Sequence, residues 1–114
     1  MAVQPSRGEI WTIELDPTKG HEQSGTRPGL ILSVDAFNHG HAGLVVAAPL
    51  TSRLKGIPWH VGVQPPEGGV RQTSYIKCED IRSLARERLR ECWGTVTPQT
   101  LAAVEDRVRI LLGL

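Results

Sequence analysis

Residues 44–50 read LVVAAPL, apolar at every position and closed on both sides by turn-forming stretches, AFNHGHAG before and TSRLKG after. Seven residues are few for a helix, and Val45 and Val46 are β-branched, so this run reads as a strand buried on both faces. Such a strand needs partners, and the flanking sequence offers them. Residues 30–34 (LILSV) form a second near-continuous apolar run of the same kind. Residues 9–15 (EIWTIEL) alternate instead, with Ile10, Thr12 and Glu14 on one face and Trp11, Ile13 and Leu15 on the other. Residues 58–63, 73–78, 81–84 and 89–96 are further strand candidates, the last containing Trp93. The segments DPTKGHEQSGTRP and QPPEGGVRQ are turn-rich like those around residues 44–50. The first of them is long for a connection in a compact domain, and loops of that length tend to be functional.

The period changes after Val96. Thr97 suits an N-cap and Pro98 the first helical position. Leu101, Val104, Val108, Leu111 and Leu112 then recur at helical spacing, with Glu105, Asp106, Arg107 and Arg109 on much of the remaining surface. The pattern predicts a mainly β chain with a C-terminal α-helix: a small barrel of short strands capped by one amphipathic helix.

With 114 residues, the expectation is one domain spanning residues 1–114. Hydrophobic residues at 39% and charged residues at 22% argue against disorder. The net charge of +1 excludes a strongly basic nucleic-acid binder, so any such site must be a local patch. Cys78 and Cys92 make neither a disulfide scaffold nor a metal-type pair, and read as reduced packing residues. The N-terminus MAVQPSRGEI lacks the pattern of a signal peptide, and no apolar run approaches the ~18 residues that span a bilayer. The chain is therefore expected in the cytoplasm, without a membrane partner.

Read in order, the chain offers RGEIW, DPTKGHEQSGTRPGLILS, VVAAPLTS, KGIPWHV, YIKCEDIRSL and a closing ILLGL. This series resembles the MazF/PemK family of toxin endoribonucleases over almost the whole chain. The block GHEQSGTRP, followed by a strand and then PLTS, is the specific part of the match. The resemblance implies an SH3-like small barrel with a C-terminal helix, shared in outline with CcdB-type toxins. It also implies a homodimer, held inactive by a cognate acidic antitoxin, that cleaves single-stranded RNA without a cofactor. Its catalytic arginine falls on Arg27, its catalytic threonine on Thr51 and its acidic loop residue on Glu22. Gln23, Ser52, Arg53, Asp80 and Arg86 are the accompanying RNA-binding candidates. Asp80 stands where some relatives carry glutamine; a carboxylate only accepts hydrogen bonds, so the base preference is expected to differ.

The chemistry suits these residue types. RNA is cut without a metal when its own 2′-hydroxyl attacks the adjacent phosphate, and the enzyme then stabilises charge on the phosphoryl oxygens. A guanidinium presents donors in a fork that matches phosphate. For Arg27 the plain alternative is an ion pair with Glu14 or Asp16 at a strand end. Thr51, with Ser52 beside it, can hold a phosphoryl oxygen or simply cap a turn. Glu22 can accept a proton or orient Arg27.

The remaining polar groups read more plainly. His39 and His41 suit a solvated turn better than a metal site, since no third ligand accompanies them. His21 is a candidate RNA contact and His60 a strand residue. Arg86, Arg88 and Arg90 would share one side of an extended backbone, as a phosphate stripe or as a face balanced by Glu87 and Glu91. Trp11 and Trp59 are candidates to stack on unpaired bases, or to pack. Two other functions compete: a CcdB-like toxin that poisons gyrase by binding, and an inactive RNA-binding barrel. Arg27 and Thr51 favour the nuclease, because a pure binder has no need of them.

Overall fold

The computed structural model describes residues 4–15 and 25–114. Seven strands, β1 (Glu9–Leu15), β2 (Gly25–Ile31), β3 (Leu44–Thr51), β4 (His60–Val63), β5 (Ser74–Lys77), β6 (Arg82–Ala85) and β7 (Leu89–Thr95), pair antiparallel. They follow the order β4-β5-β3-β2-β1-β7, and β6 also pairs with β3. The described residues also form two α-helices, the short α1 (Asp35–Asn38) and the C-terminal α2 (Pro98–Leu112). The described residues thus form an open, mainly β sheet with a C-terminal helix.

The LVVAAPL run behaves as its composition demands. Val45 and Ala47 are buried on one face of β3 with Ile13, Ile31 and Leu89, while Ala48 and Leu50 are buried on the other with Ile10, Leu30, Val63 and Ile76. Alternate residues of one strand therefore feed two apolar clusters, one on each side of the sheet. The larger cluster is the one beneath α2, which contributes Val104, flanked by Leu101 and Val108. Leu112 does not join it. It is 56% exposed, because the last helical turn runs past the apolar surface.

α2 starts and stops on its own sequence signals. The Thr97 hydroxyl accepts the Thr100 N–H at 3.1 Å, a cap of the kind that contributes about 1 kcal/mol. Gly113 closes the helix at φ 72°, donating to Ile110 O, while Leu114 N–H reaches back to Arg109 O.

Two differences from the sequence expectation stand out. β2 begins at Gly25 and passes through Pro28, where an apolar start at Leu30 was expected. The ladder between β2 and β3 ends at Gly29–Pro49. Pro28 and Pro49 have no N–H to donate, so this is where continued pairing has least to offer and the strands can part. The other difference lies in the AFNHGHAG turn, which contains α1. Asn38 is fully buried there, and its amide donates to Ser33 O at 2.8 Å.

Candidate active site

Arg27 sits on β2 opposite Ile13 of β1, and Thr51 is the last residue of β3, opposite Tyr75 of β5. The final β2–β3 pair is Gly29–Pro49. Continuing that register by two residues sets Arg27 directly across from Thr51. The two strands no longer hydrogen-bond there, and the gap is a cleft of about 250 Å3 lined by both residues. Pro28, Leu50 and Ser52 complete this side. Arg71, Gln72, Ser74 and Trp93 line the rest. A cleft of this size takes part of a ligand rather than enclosing one.

Both central groups are available for a ligand. Arg27 is half-buried and has no hydrogen-bond or ion-pair partner among the described residues. The expected competitor Glu14 is taken, since its carboxylate pairs with Arg90, whereas Asp16 lies outside the described residues. The Thr51 oxygen accepts the Arg53 N–H at 3.2 Å. That bond is the turn cap expected of it, and it fixes the oxygen while leaving the hydroxyl hydrogen free to donate. Among the described residues no carboxylate lines the cleft, whereas Arg27 and Arg71 both do. The described lining is therefore positive although the chain's net charge is only +1. Among the described residues no group of three His, Cys, Asp or Glu is placed to hold a metal ion.

The structure brings together some of the expected residues and separates others. Ser52 lines the cleft, and Arg53 follows it as an exposed residue. Glu22, Gln23 and His21 lie outside the described residues. Asp80 is exposed and pairs with Lys77 at 3.6 Å, beyond the end of β5 that leads away from Thr51. Arg86 follows Ala85, which pairs with Leu44 at the far end of β3. At ~3.3 Å per residue that is roughly 23 Å along the strand from Thr51. Its guanidinium donates to Asn38 O at 2.6 Å and Gly40 O at 3.1 Å, tying down the α1 turn.

The arginine stripe needs a correction. Arg86–Arg88 is a turn of 3-10 helix, not extended backbone, so alternation does not put Arg86, Arg88 and Arg90 on one side. Arg88 and Arg90 both reach Glu14 instead. Of the two readings offered for Trp11 and Trp59, the structure favours packing. Trp11 packs against the smaller cluster and donates to Glu9 at 2.9 Å, and Trp59 is half-buried on the way into β4. Trp93 is the one that reaches the cleft. His39 meets the Pro5 carbonyl at 2.6 Å, and His60 meets Glu79 at 2.9 Å.

Arg71, Gln72 and Trp93 were missed as site residues. The available signal was the pair Gly68-Gly69 just ahead of Arg71. Both take positive φ, and a Cβ on Gly69 would lie 2.3 Å from the Trp93 carbonyl oxygen. Paired glycines mark such a close backbone approach.

Comparison with known proteins adds three findings. A family model described as PemK-like, MazF-like toxin of type II toxin-antitoxin system matches residues 6–112. Among curated proteins, Endoribonuclease MazF9 of Mycobacterium tuberculosis is 33% identical over 95% of this chain and 96% of its own length. Endoribonuclease toxin MazF of Escherichia coli is 31% identical over 96% of this chain and 95% of its own. Among solved structures, a MazE–MazF crystal structure from Deinococcus radiodurans superposes with a TM-score of 0.83 at 36% identity, covering 98% of both chains.

Proposed function

Because the chain belongs to the PemK-like, MazF-like toxin family of type II toxin–antitoxin systems, we propose that it is an endoribonuclease cutting single-stranded RNA, messenger RNA above all, at short sequence motifs. The observation that carries this reading is the meeting of Arg27 and Thr51 across one cleft whose described lining holds two arginines and no carboxylate. The 2′-oxygen attacks the adjacent phosphorus; the O2′–P bond forms and the P–O5′ bond breaks. The 2′ proton passes to a base and the departing O5′ takes one up. The products are a 2′,3′-cyclic phosphate and a 5′-hydroxyl.

In this reaction the Arg27 guanidinium faces the phosphoryl oxygens, where negative charge grows in the transition state. It donates and does not accept, so its role is to stabilise charge or give a proton. Thr51, its oxygen fixed by the Arg53 N–H, donates to a second phosphoryl oxygen. Glu22 supplies the carboxylate that takes the 2′ proton or orients Arg27, and Gln23, Ser52 and Arg53 contact the RNA. The guanidinium supplies the positive charge, so the reaction proceeds without a metal. The gyrase-poison alternative is not favoured, since the curated relatives are named endoribonucleases.

The chain acts in the cytoplasm as one domain, in a homodimer that shelters open sheet edges, and a cognate acidic antitoxin neutralises it. Support for the last point is the MazE–MazF complex of its Deinococcus radiodurans neighbour. An ordering acidic segment would compete with phosphate for Arg27.

The test is long single-stranded RNA at saturating concentration in excess chelator. The parent should cut it, and Arg27→Ala should lose ~100-fold or more in turnover while remaining folded. Thr51→Ala should lose turnover as well. A 2′-deoxy substitution at the cleaved site should stop cutting but not binding. A folded Arg27→Ala protein that cuts at the parent rate sinks the mechanism.

A further inference from the structure

One wall of the cleft comes from the strap that runs from Gln64 to Gln72. Gly69, at φ 77°, lies so close to β7 that a Cβ there would be 2.3 Å from the Trp93 carbonyl oxygen. Val70 is buried in the larger apolar cluster. The Glu67 carboxylate accepts the Thr97 N–H at 2.9 Å, which ties the strap to the start of α2. Arg71 therefore leaves the strap from a fixed point. Its guanidinium carbon lies 5.1 Å from the Trp93 ring centroid, within cation–π range. Arg71 has no ion pair among the described residues and is exposed. Trp93 is more buried, and its indole N–H has no partner among the described residues.

We propose that the Trp93–Arg71 stack is a nucleobase subsite: an unpaired base beside the phosphate held by Arg27 and Thr51 stacks on the outer face of the Arg71 guanidinium. The proposal rests on the RNA-cleavage reading and adds to it where the flanking base goes. An arginine that only neutralised phosphate would have no need of an aromatic floor. One held over an indole has lost much of its side-chain freedom, and its planar guanidinium, at the cleft, is a surface on which a base can stack. Single-stranded RNA is gripped on such planes, because a splayed base has an unpaired π-face and a paired base does not. Gln72, next along the same strap, brings an amide that both donates and accepts, which suits a base edge. Arg71 is thus a positioning residue that fixes the flanking nucleotide.

The experiment uses the full chain and a short RNA containing a motif mapped by sequencing fragment ends. KM and kcat are measured for the parent, Arg71→Ala and Arg71→Lys, each on the intact RNA and on RNAs made abasic at either nucleotide flanking the cut. Loss of one stacked base should raise KM by roughly tenfold for Arg71→Ala, with kcat little changed. Arg71→Lys should behave like alanine, because an ammonium has charge but no plane. One abasic position should cost the parent a similar factor and cost Arg71→Ala nothing more. The subsite is overturned by a parental KM in Arg71→Ala, by full rescue in Arg71→Lys, or by abasic and alanine losses that multiply. A parent that leaves every RNA intact overturns the cleavage reading and this subsite with it. A parent that cuts while Arg71→Ala matches it overturns the subsite alone.

Discussion

Replacing Gly69 by alanine should be among the most damaging single-methyl changes in this chain. Its φ of 77° lies in the left-handed region, where an L-residue with a Cβ is less stable by about 1–2 kcal/mol. The added carbon would also sit 2.3 Å from the Trp93 carbonyl oxygen and 2.7 Å from its carbon. These are backbone atoms of a paired strand, so either β7 or the strap must shift. Overpacking of this sort costs about 1–3 kcal/mol, giving a total of roughly 2–5 kcal/mol. Gly43 supplies the control, since it has φ 69° and a Cβ added there would meet nothing within 4 Å. Gly43→Ala should therefore cost only the ~1–2 kcal/mol conformational part. For a chain of this length 1 kcal/mol moves Tm by about 3–6 °C. Thermal unfolding followed by circular dichroism should place Gly69→Ala roughly 6–30 °C below the parent, and below Gly43→Ala. Equal Tm losses in the two variants would refute the argument that the strap is clamped against Trp93.

Acid should weaken the fold through two carboxylates. Burial opposes ionisation of Glu67, but hydrogen bonds from Thr100 and Thr97 outweigh it and hold its pKa below the usual value. Burial likewise opposes ionisation of Glu79, but its hydrogen bond with His60, a backbone hydrogen bond and the charges of His60 and Lys77 together outweigh it and lower its pKa. With folded pKa values below unfolded ones, this stabilisation is complete above about pH 4.5 and is lost as pH falls through the lowered values. Urea midpoints should hold steady from neutral pH down to that point and then drop. Glu67→Gln should have a shallower acid slope, and an unchanged slope would count against the Thr97 and Thr100 contacts. The two thiols should differ sharply. Cys78 is fully buried, and its thiol is pushed up to about 11 mainly by burial, whereas Cys92 is exposed. Mass spectrometry after alkylation of the native chain at mildly alkaline pH should find Cys92 modified alone, and both in urea. Equal modification of Cys78 in the native chain would contradict its burial.

The parts of the fold legible in the sequence were those set by local chemistry. LVVAAPL could only be a strand covered on both faces, and Thr97-Pro98 marked where the final helix begins. Arg27 and Thr51 were legible as a pair through their motifs, but not as neighbours. Their meeting depends on a register between β2 and β3, and β2 was expected to start three residues too late to include Arg27. Pro28 hid it, because a proline usually argues against strand interior. Arg71 and Trp93 were illegible for a different reason. They lie far apart in sequence, and only the glycine-mediated contact between strap and strand joins them. Arg86 shows the opposite error. Alternating arginines look like a stripe only if the backbone is extended, and here it turns through a 3-10 helix.

The pairing of β1 with both β2 and β7 has a temporal side. Glu9 lies opposite Thr95, so the first strand waits for almost the last before it has both neighbours. Sheets built on such distant pairings fold slowly, because the ends of a long loop must meet before any contact rewards them. The cleft inherits the same delay, since it draws on Arg27, Thr51, Arg71 and Trp93 from four separate stretches of chain. A chain still being translated can hold Arg27 and Thr51 without yet owning the wall against which RNA would rest. Under the proposed cleavage of messenger RNA, this order of assembly means that the template being read is spared by the very copy it is producing until that copy is nearly whole.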